Sequence, residues 1–248
     1  APSFTESSSN AATVTINTSG ATGARISGAR DRYQGTVASQ QVYLPWSGTN
    51  YGYDCGAAGQ GFSTPDSVAI STVGDLEVIF DLETSDWSQG NALAYAAKYV
   101  FSTANRSWRV VSATGTRLIQ LIWSTDGTTT VTASFTDHGV TSGRQAFKVT
   151  LDVDNGSGGW TATLYKASTY AGPWTQVGLA QTSAGVTSIY NGTAPLEVGS
   201  QNNLVIAGIA GRYYYASVSG TIGGAALAVF DPSCYTSGTT CTASTGEV

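Results

Sequence analysis

Alternation of apolar and polar residues from Asp75 to Glu83 constrains this chain most. Leu76, Val78, Phe80 and Leu82 share one face of an extended segment, while Glu77, Ile79, Asp81 and Glu83 share the other. A side-chain period of two predicts a strand with one face turned to a core. Arg117 to Trp123 alternates less cleanly and runs into Ser-Thr-Asp-Gly, where Asp126-Gly127 suits a tight hairpin into Thr129 to Phe135. Phe147 to Val153 and Trp160 to Lys166 flank Asp154-Asn-Gly-Ser-Gly-Gly159, a second turn rich in residues that tolerate left-handed backbone. A third hairpin is expected from Thr161–Lys166 through Ala167–Gly172 into Pro173–Val177. Helix signals are few. Asn91 to Val100 is Ala-rich enough to be helical on propensity alone, and Ala is a poor strand former.

Many short strands between Gly, Ser, Thr and Asp turns predict two packed antiparallel sheets, an all-β sandwich of jelly-roll type. At 248 residues the chain buries roughly 70 to 75% of its unfolded surface, which fits one sizeable sandwich with appendages. Three segments are expected: a Ser/Thr/Ala-rich arm over 1–40, the jelly roll over 41–231 and a C-terminal tail over 232–248. The arm buries too little to fold alone and is read as ordering on a neighbouring subunit or adding a strand to a sheet edge. A loosely attached N-terminal strand of the same sandwich is the alternative.

The strand-like runs arrive in a distinctive order. They are Gln41-Val-Tyr-Leu-Pro45, Ser63-Thr-Pro-Asp-Ser67, Gly74-Asp-Leu-Glu-Val78, Asn105-Arg-Ser-Trp108 and Leu121-Ile-Trp-Ser-Thr-Asp-Gly127, then Val149-Thr-Leu-Asp-Val-Asp-Asn-Gly156, Gly172-Pro-Trp-Thr-Gln-Val-Gly178 and Ala194-Pro-Leu-Glu-Val-Gly199. Gly211-Arg-Tyr-Tyr-Tyr-Ala-Ser-Val-Ser219, Gly223-Gly224 and Phe230-Asp231 continue the series. Together they resemble the laminin G-like, concanavalin A-like jelly roll of virion structural proteins in actinobacteriophages, of minor tail or decoration type. The resemblance makes Asn91–Val100 a strand. It implies a non-enzymatic virion component, built in the bacterial cytoplasm and extracellular in the particle, that joins other virion subunits as a homo-oligomer and meets host-surface glycans. A secreted bacterial lectin and a concanavalin A-like glycoside hydrolase are the alternatives. Methionine is absent, which fits either removal of an initiator or cleavage from a longer parent.

Only 11% of residues are charged, the net charge is -5, and Lys and Arg are scattered, so a nucleic-acid role is excluded by the lack of a basic face. No apolar run approaches the roughly 20 residues that span a bilayer, and membrane insertion is not expected.

No catalytic residue is assigned. His138, the single histidine, sits in an Asp-His-Gly turn without a nucleophile-elbow pattern nearby and reads as a solvated turn residue. Hydrolases of the concanavalin A-like group carry catalytic carboxylates at alternating positions of one strand. Glu77, Asp81 and Glu83 approach that row, but Ile79 occupies a position that would have to be acidic, and the solvent face of a strand explains all three. Asp152-Val-Asp154-Asn-Gly-Ser-Gly158 offers hard oxygen ligands, and laminin G-like domains sometimes hold calcium at a sandwich rim. The EF-hand spacing is missing and ordinary turn chemistry is the stronger reading, so no metal or cofactor is expected.

Cys234 and Cys241 enclose a six-residue Ser/Thr/Gly spacer long enough for their Cβ atoms to meet, and a bridge there is expected, with Cys55 free in a Gly-rich insertion over 51–61. Two free thiols in a reducing cytosol are the counter-reading. Among the aromatic residues, Trp108 and Trp123 read as core. Trp46, Tyr51, Tyr53 and Trp174 lie in or beside Gly/Ser-rich turns and are the candidates for stacking on a sugar ring.

Overall fold

A computed structural model describes residues 52–57, 59–90, 92–101, 104–113, 115–232 and 244–245 in full, and the backbone of four N-terminal strands. Those four are β1 (Ser3–Phe4), β2 (Val14–Thr15), β3 (Arg32–Val37) and β4 (Gln40–Pro45); β1 pairs with β2 and β3 with β4, both antiparallel. Backbone contacts divide the chain into a first unit, Ala1–Gly48, and a second, Thr49–Val248.

The second unit opens with β5 (Gly52–Cys55), β6 (Phe62–Thr64), β7 (Leu76–Thr84), β8 (Ala94–Val100), β9 (Asn105–Ser112) and β10 (Ile119–Ser124). There follow β11 (Thr130–Ser134), β12 (Gly143–Asp152), β13 (Gly159–Ala167), β14 (Thr175–Gln176) and β15 (Gln181–Ala184). The last are β16 (Leu196–Val198), β17 (Ser200–Gln201), β18 (Ile206–Ala207), β19 (Gly211–Ser219) and β20 (Ala228–Phe230). They form an antiparallel β-sandwich of jelly-roll type. One sheet has the order β11-β10-β9-β8-β16-β6. The other, larger sheet runs β14-β13-β12-β7-β19-β5 within this unit, with β15 on β13 and β20 on β19. No helix among the described residues is long and apolar enough to cross a membrane.

The core lies between the two inner faces. Leu76, Val78, Phe80 and Leu82 of β7 all point into it, as their alternation predicts, with Phe147 and Val149 of β12 and Leu164 of β13 beside them. From the opposite sheet come Tyr95, Trp108, Val110, Leu121 and Trp123. Phe80 and Tyr95 stack across the gap with ring centroids 4.5 Å apart. Large side chains of this kind contribute about 1.5 to 3 kcal/mol each on burial.

Strand β8 shows why an Ala-rich run is extended here. All seven of its residues are buried, because Tyr95 and Ala96 face the core while Ala94, Ala97 and Tyr99 join Val111 and Ile122 in a second apolar cluster on the outer side. With both faces covered, small side chains let the neighbouring layers close, and tertiary packing overrides helix propensity. Lys98 is buried in the same strand and donates from Nζ to Asp66 Oδ1 (2.6 Å), Ala194 O (3.1 Å) and Gly192 O.

The hairpins fall where the turn residues place them. Between β10 and β11, Asp126 Oδ1 accepts the N–H groups of Thr128 and Thr129, both at 2.7 Å. Gly127 has φ +83°, and a Cβ there would meet the Tyr190 ring at 2.7 Å. Three expectations are corrected. Tyr53 is 8% exposed in β5, packed on Phe62 with centroids 4.6 Å apart, and is core instead of a surface turn residue. Described residues of the 51–61 segment include that strand, which pairs with β19, so Cys55 is a buried free thiol in a sheet and not part of a Gly-rich insertion. His138 is 2% exposed and lies against Trp87 and Phe147, with Nδ1 accepting the Val140 N–H at 3.2 Å.

Candidate functional site

Strand register places the functional side chains. On the outer face of the larger sheet, Arg212 of β19, Glu83 of β7 and Arg144 of β12 lie in one cross-strand row. Tyr215, Asp81 and Ala146 form the next, and Ser217, Ile79, Lys148 and Tyr165 the one after. The face was expected to be solvated, and this expectation is corrected. Asp81 is 0% exposed and Glu77 is 6% exposed, because long side chains from β12 and β19 and the turn after β13 close over them.

Asp81 organises the cluster. Its two carboxylate oxygens accept Arg144 Nε and an Arg144 terminal N–H, each at 2.8 Å, a bidentate fork that fixes both groups. The hydrogen bonds it donates to Asp81 push the Arg144 guanidinium further up from an already high value. Asp81 Oδ2 also accepts the backbone N–H of Tyr170 at 3.1 Å. The small side chain of Ala146, next to Asp81 across the sheet, leaves room for that turn to approach.

With its backbone held, Tyr170 lays its ring on Tyr215 at 4.0 Å and 13° between planes. Tyr170 nonetheless remains 42% exposed. Arg144 in turn covers the Tyr214 ring at 3.8 Å, and Tyr214 donates its hydroxyl to Glu83 at 2.5 Å. Beside them Lys148 Nζ sits 4.8 Å over Tyr165 and 5.3 Å over half-buried Trp174, and 3.9 Å from Glu77. Charge and ring thus alternate across the face. It is built to present aromatic surface on a rigid support.

Of the four aromatic candidates, Trp174 joins this face and Tyr53 is in the core; Trp46 and Tyr51 lie outside the described residues, as do Cys234 and Cys241. Glu77, Asp81 and Glu83 do share the outer side of β7, but each carboxylate is engaged. Besides Asp81 with Arg144 and Glu83 with Tyr214, Glu77 Oε2 accepts the Gly223 N–H at 3.2 Å. Apolar Ile79 stands between Ser217 and Lys148 in the middle of the row. Asp152 and Asp154 spend an oxygen each on turn N–H groups, of Asp154 and Gly156, at 3.2 Å. Among the described residues no three His, Cys, Asp or Glu side chains gather as a metal site requires.

The smaller sheet carries a different arrangement on its outer side. Glu197 of β16 is also 0% exposed, but its carboxylate accepts the backbone N–H groups of Asn203 (3.1 Å) and Leu204. Asn202, Asn203 and Leu204 all have φ +61°, a left-handed run that costs about 1 to 2 kcal/mol per non-glycine residue. Burial pushes the Glu197 carboxyl up, against the lowering effect of the two N–H groups. Near it, Arg109 lies over the rings of Tyr99 (4.6 Å) and Phe101 (4.9 Å) and donates to Gln201 at 3.1 Å.

Tyr170, Tyr215, Arg144 and Lys148 escape a reading of the sequence, because each acquires its place through a partner in a distant strand. The one local signal is the Ser168-Thr-Tyr-Ala-Gly172 turn, which puts an aromatic residue at a hairpin tip.

No protein-family model matches the chain, and no curated protein sequence matches it. Among solved structures, the sialidase module CBM40 of Ruminococcus gnavus bound to α2,3-sialyllactose aligns with a TM-score of 0.44 at 8% identity, over 68% of this chain and 89% of that one. The same CBM40 without a named ligand aligns at 0.42 and 12%, over 72% and 91%. The enzymatically active domain of tailspike protein 2 from bacteriophage CBA120 aligns at 0.41 and 13%, over 69% of this chain and 29% of the tailspike. Likeness at this level adds nothing to what the strands themselves show.

Proposed function

We propose that the chain is a non-enzymatic component of an actinobacteriophage virion, a laminin G-like jelly roll that presents the outer face of its larger sheet to host-envelope glycans. One observation carries the binding part: an exposed tyrosine whose ring is stacked from below on Tyr215 and whose backbone is pinned to a buried carboxylate. Flexible side chains lose rotamer entropy when a ligand lands on them, and Tyr170 has little left to lose. Trp174 extends the aromatic surface beside it. The engagement of all three carboxylates of β7 supports a binding role over hydrolysis, since a glycosidase needs one carboxyl free to give a proton and a second to attack or activate water. Placement in a virion rests on the order of strand motifs in the sequence. Repetition of the chain around a particle would turn weak contacts into avidity.

The test is to label purified particles with antibody against the chain and to measure adsorption of particles carrying Tyr170→Ala or Trp174→Ala. Labelled particles whose adsorption drops about tenfold or more with either substitution are expected. A chain found free in the medium and never on particles would replace this reading with a secreted lectin. Polysaccharide turnover lost on Asp81→Asn or Glu83→Gln would replace it with a glycoside hydrolase.

A further inference from the structure

On the face proposed to hold a glycan, the ionic groups among the described residues are engaged inside the protein. Asp81 is clamped by Arg144, Asp54 accepts Arg212 Nε at 2.9 Å, Glu77 stands 3.9 Å from Lys148, and Glu83 is capped by the Tyr214 hydroxyl. An anionic ligand that drew Arg144 away from Asp81 would strand a fully buried carboxylate. To recruit Lys148 it would have to pull the ammonium off the Tyr165 and Trp174 rings. Carboxylates outnumber cations here, with Asp231 also acting on Tyr215, and the chain's net charge of -5 adds repulsion at long range. A cationic ligand fares no better, since Glu83 lies between Arg212 and Arg144 in its cross-strand row and the Tyr214 hydroxyl caps it. Among the described residues, the surface left uncommitted is aromatic: the exposed parts of Tyr170 and Trp174.

Resting on the reading of this face as a glycan platform, we infer that its ligand is a neutral saccharide, made of hexose or pentose units without carboxylate, sulfate, phosphate or amine groups. Such a sugar offers an apolar C–H face to a ring and hydroxyls to the surrounding polar rim, and it leaves the internal pairs intact.

The experiment uses the full chain on an array of neutral and acidic glycans, with dextran against dextran sulfate as a matched pair. Wild type and Tyr170→Ala are compared at 50 and 500 mM NaCl, and an unchanged circular dichroism spectrum confirms that the variant folds. Raising the salt shortens the Debye length from about 14 Å to about 4 Å, so the affinity for a neutral sugar should change less than about twofold. Binding to neutral glycans that is insensitive to salt and falls at least about tenfold in Tyr170→Ala supports the inference. Binding confined to polyanions but still lost in Tyr170→Ala would overturn the neutral class and leave the platform standing. Binding that survives Tyr170→Ala, or silence across the array, would overturn both.

Discussion

Asp81 and Glu197 are two fully buried carboxylates on the outer sides of opposite sheets, and they solve the same problem in different ways. Asp81 meets a guanidinium and a backbone N–H, and the result is an ordered turn that lifts Tyr170 into solvent. Glu197 meets two backbone N–H groups, and the result is a left-handed turn closed down over β16. A buried anion needs several donors, and what supplies them decides what is built around it. Where the donor is a long side chain that also stacks on a ring, the surface stays open and aromatic. Where the donors are backbone, the surface is sealed.

The sharpest way to break the comparison is to remove Asp81. Asp81→Ala leaves Arg144 without its carboxylate and should cost about 3 to 5 kcal/mol in urea denaturation. The double replacement Asp81→Leu with Arg144→Leu should restore most of that stability, since an apolar pair of similar volume can stand in for a buried ion pair. It should not restore glycan binding, because Tyr170 loses its anchor. A double variant that bound normally would show that the pair serves packing alone.

Acid reports on Glu197 only when His138 is accounted for. Burial holds its imidazole down to about 4 from 6.5, opposed by the Asp137 carboxylate. The unfolded chain therefore takes up the proton first, and stability falls as pH drops from about 6.5 to about 4, by roughly 3 kcal/mol. Thermal unfolding across that range should show the loss in the wild type and little of it in His138→Phe, which keeps a ring against Trp87 and Phe147.

Glu197 has the opposite sign. Its folded carboxyl is raised above the usual 4.5, so its contribution is fully present below 4.5 and is lost as pH rises through the folded value. Glu197→Gln keeps an acceptor for the turn and should lie within about 1 kcal/mol of the wild type at pH 7, without that decline. Measured in the His138→Phe background, a stability that rose with pH in the same window would refute the assignment. Tyr170→Ala gives up one stacked ring pair and should cost about 0.5 to 1.5 kcal/mol in stability while it removes the proposed binding surface.

The sandwich was legible in the sequence wherever the signal was local. Leu76 to Leu82 declared their face by alternation, Trp108 and Trp123 declared the core, and Asp126-Gly127 declared a hairpin. Tyr53 and His138 were misplaced because Gly and Asp neighbours suggest exposed turns, whereas pairing with β19 and packing under Trp87 come from residues far along the chain. The site was less legible still. Trp174 could be named from its turn, but nothing near Asp81 shows that Arg144 will lie beside it or that Tyr170 will reach over both. Sequence read with a period of two says which side a residue takes, and only register says what it meets there.

Strand β8 also bears on how this chain can change with time. Its residues are enclosed on both sides, so a methylene added at Ala94, Ala96 or Ala97 would have to be absorbed by layers already in contact. Divergent descendants of this protein should keep these three positions small even after their surface loops no longer align. The exposed positions of β15, Thr182 and Ser183 among them, should drift freely. Kinship in this lineage would then be written less in the residues that touch a ligand than in a short stretch of alanines that touches nothing outside the molecule.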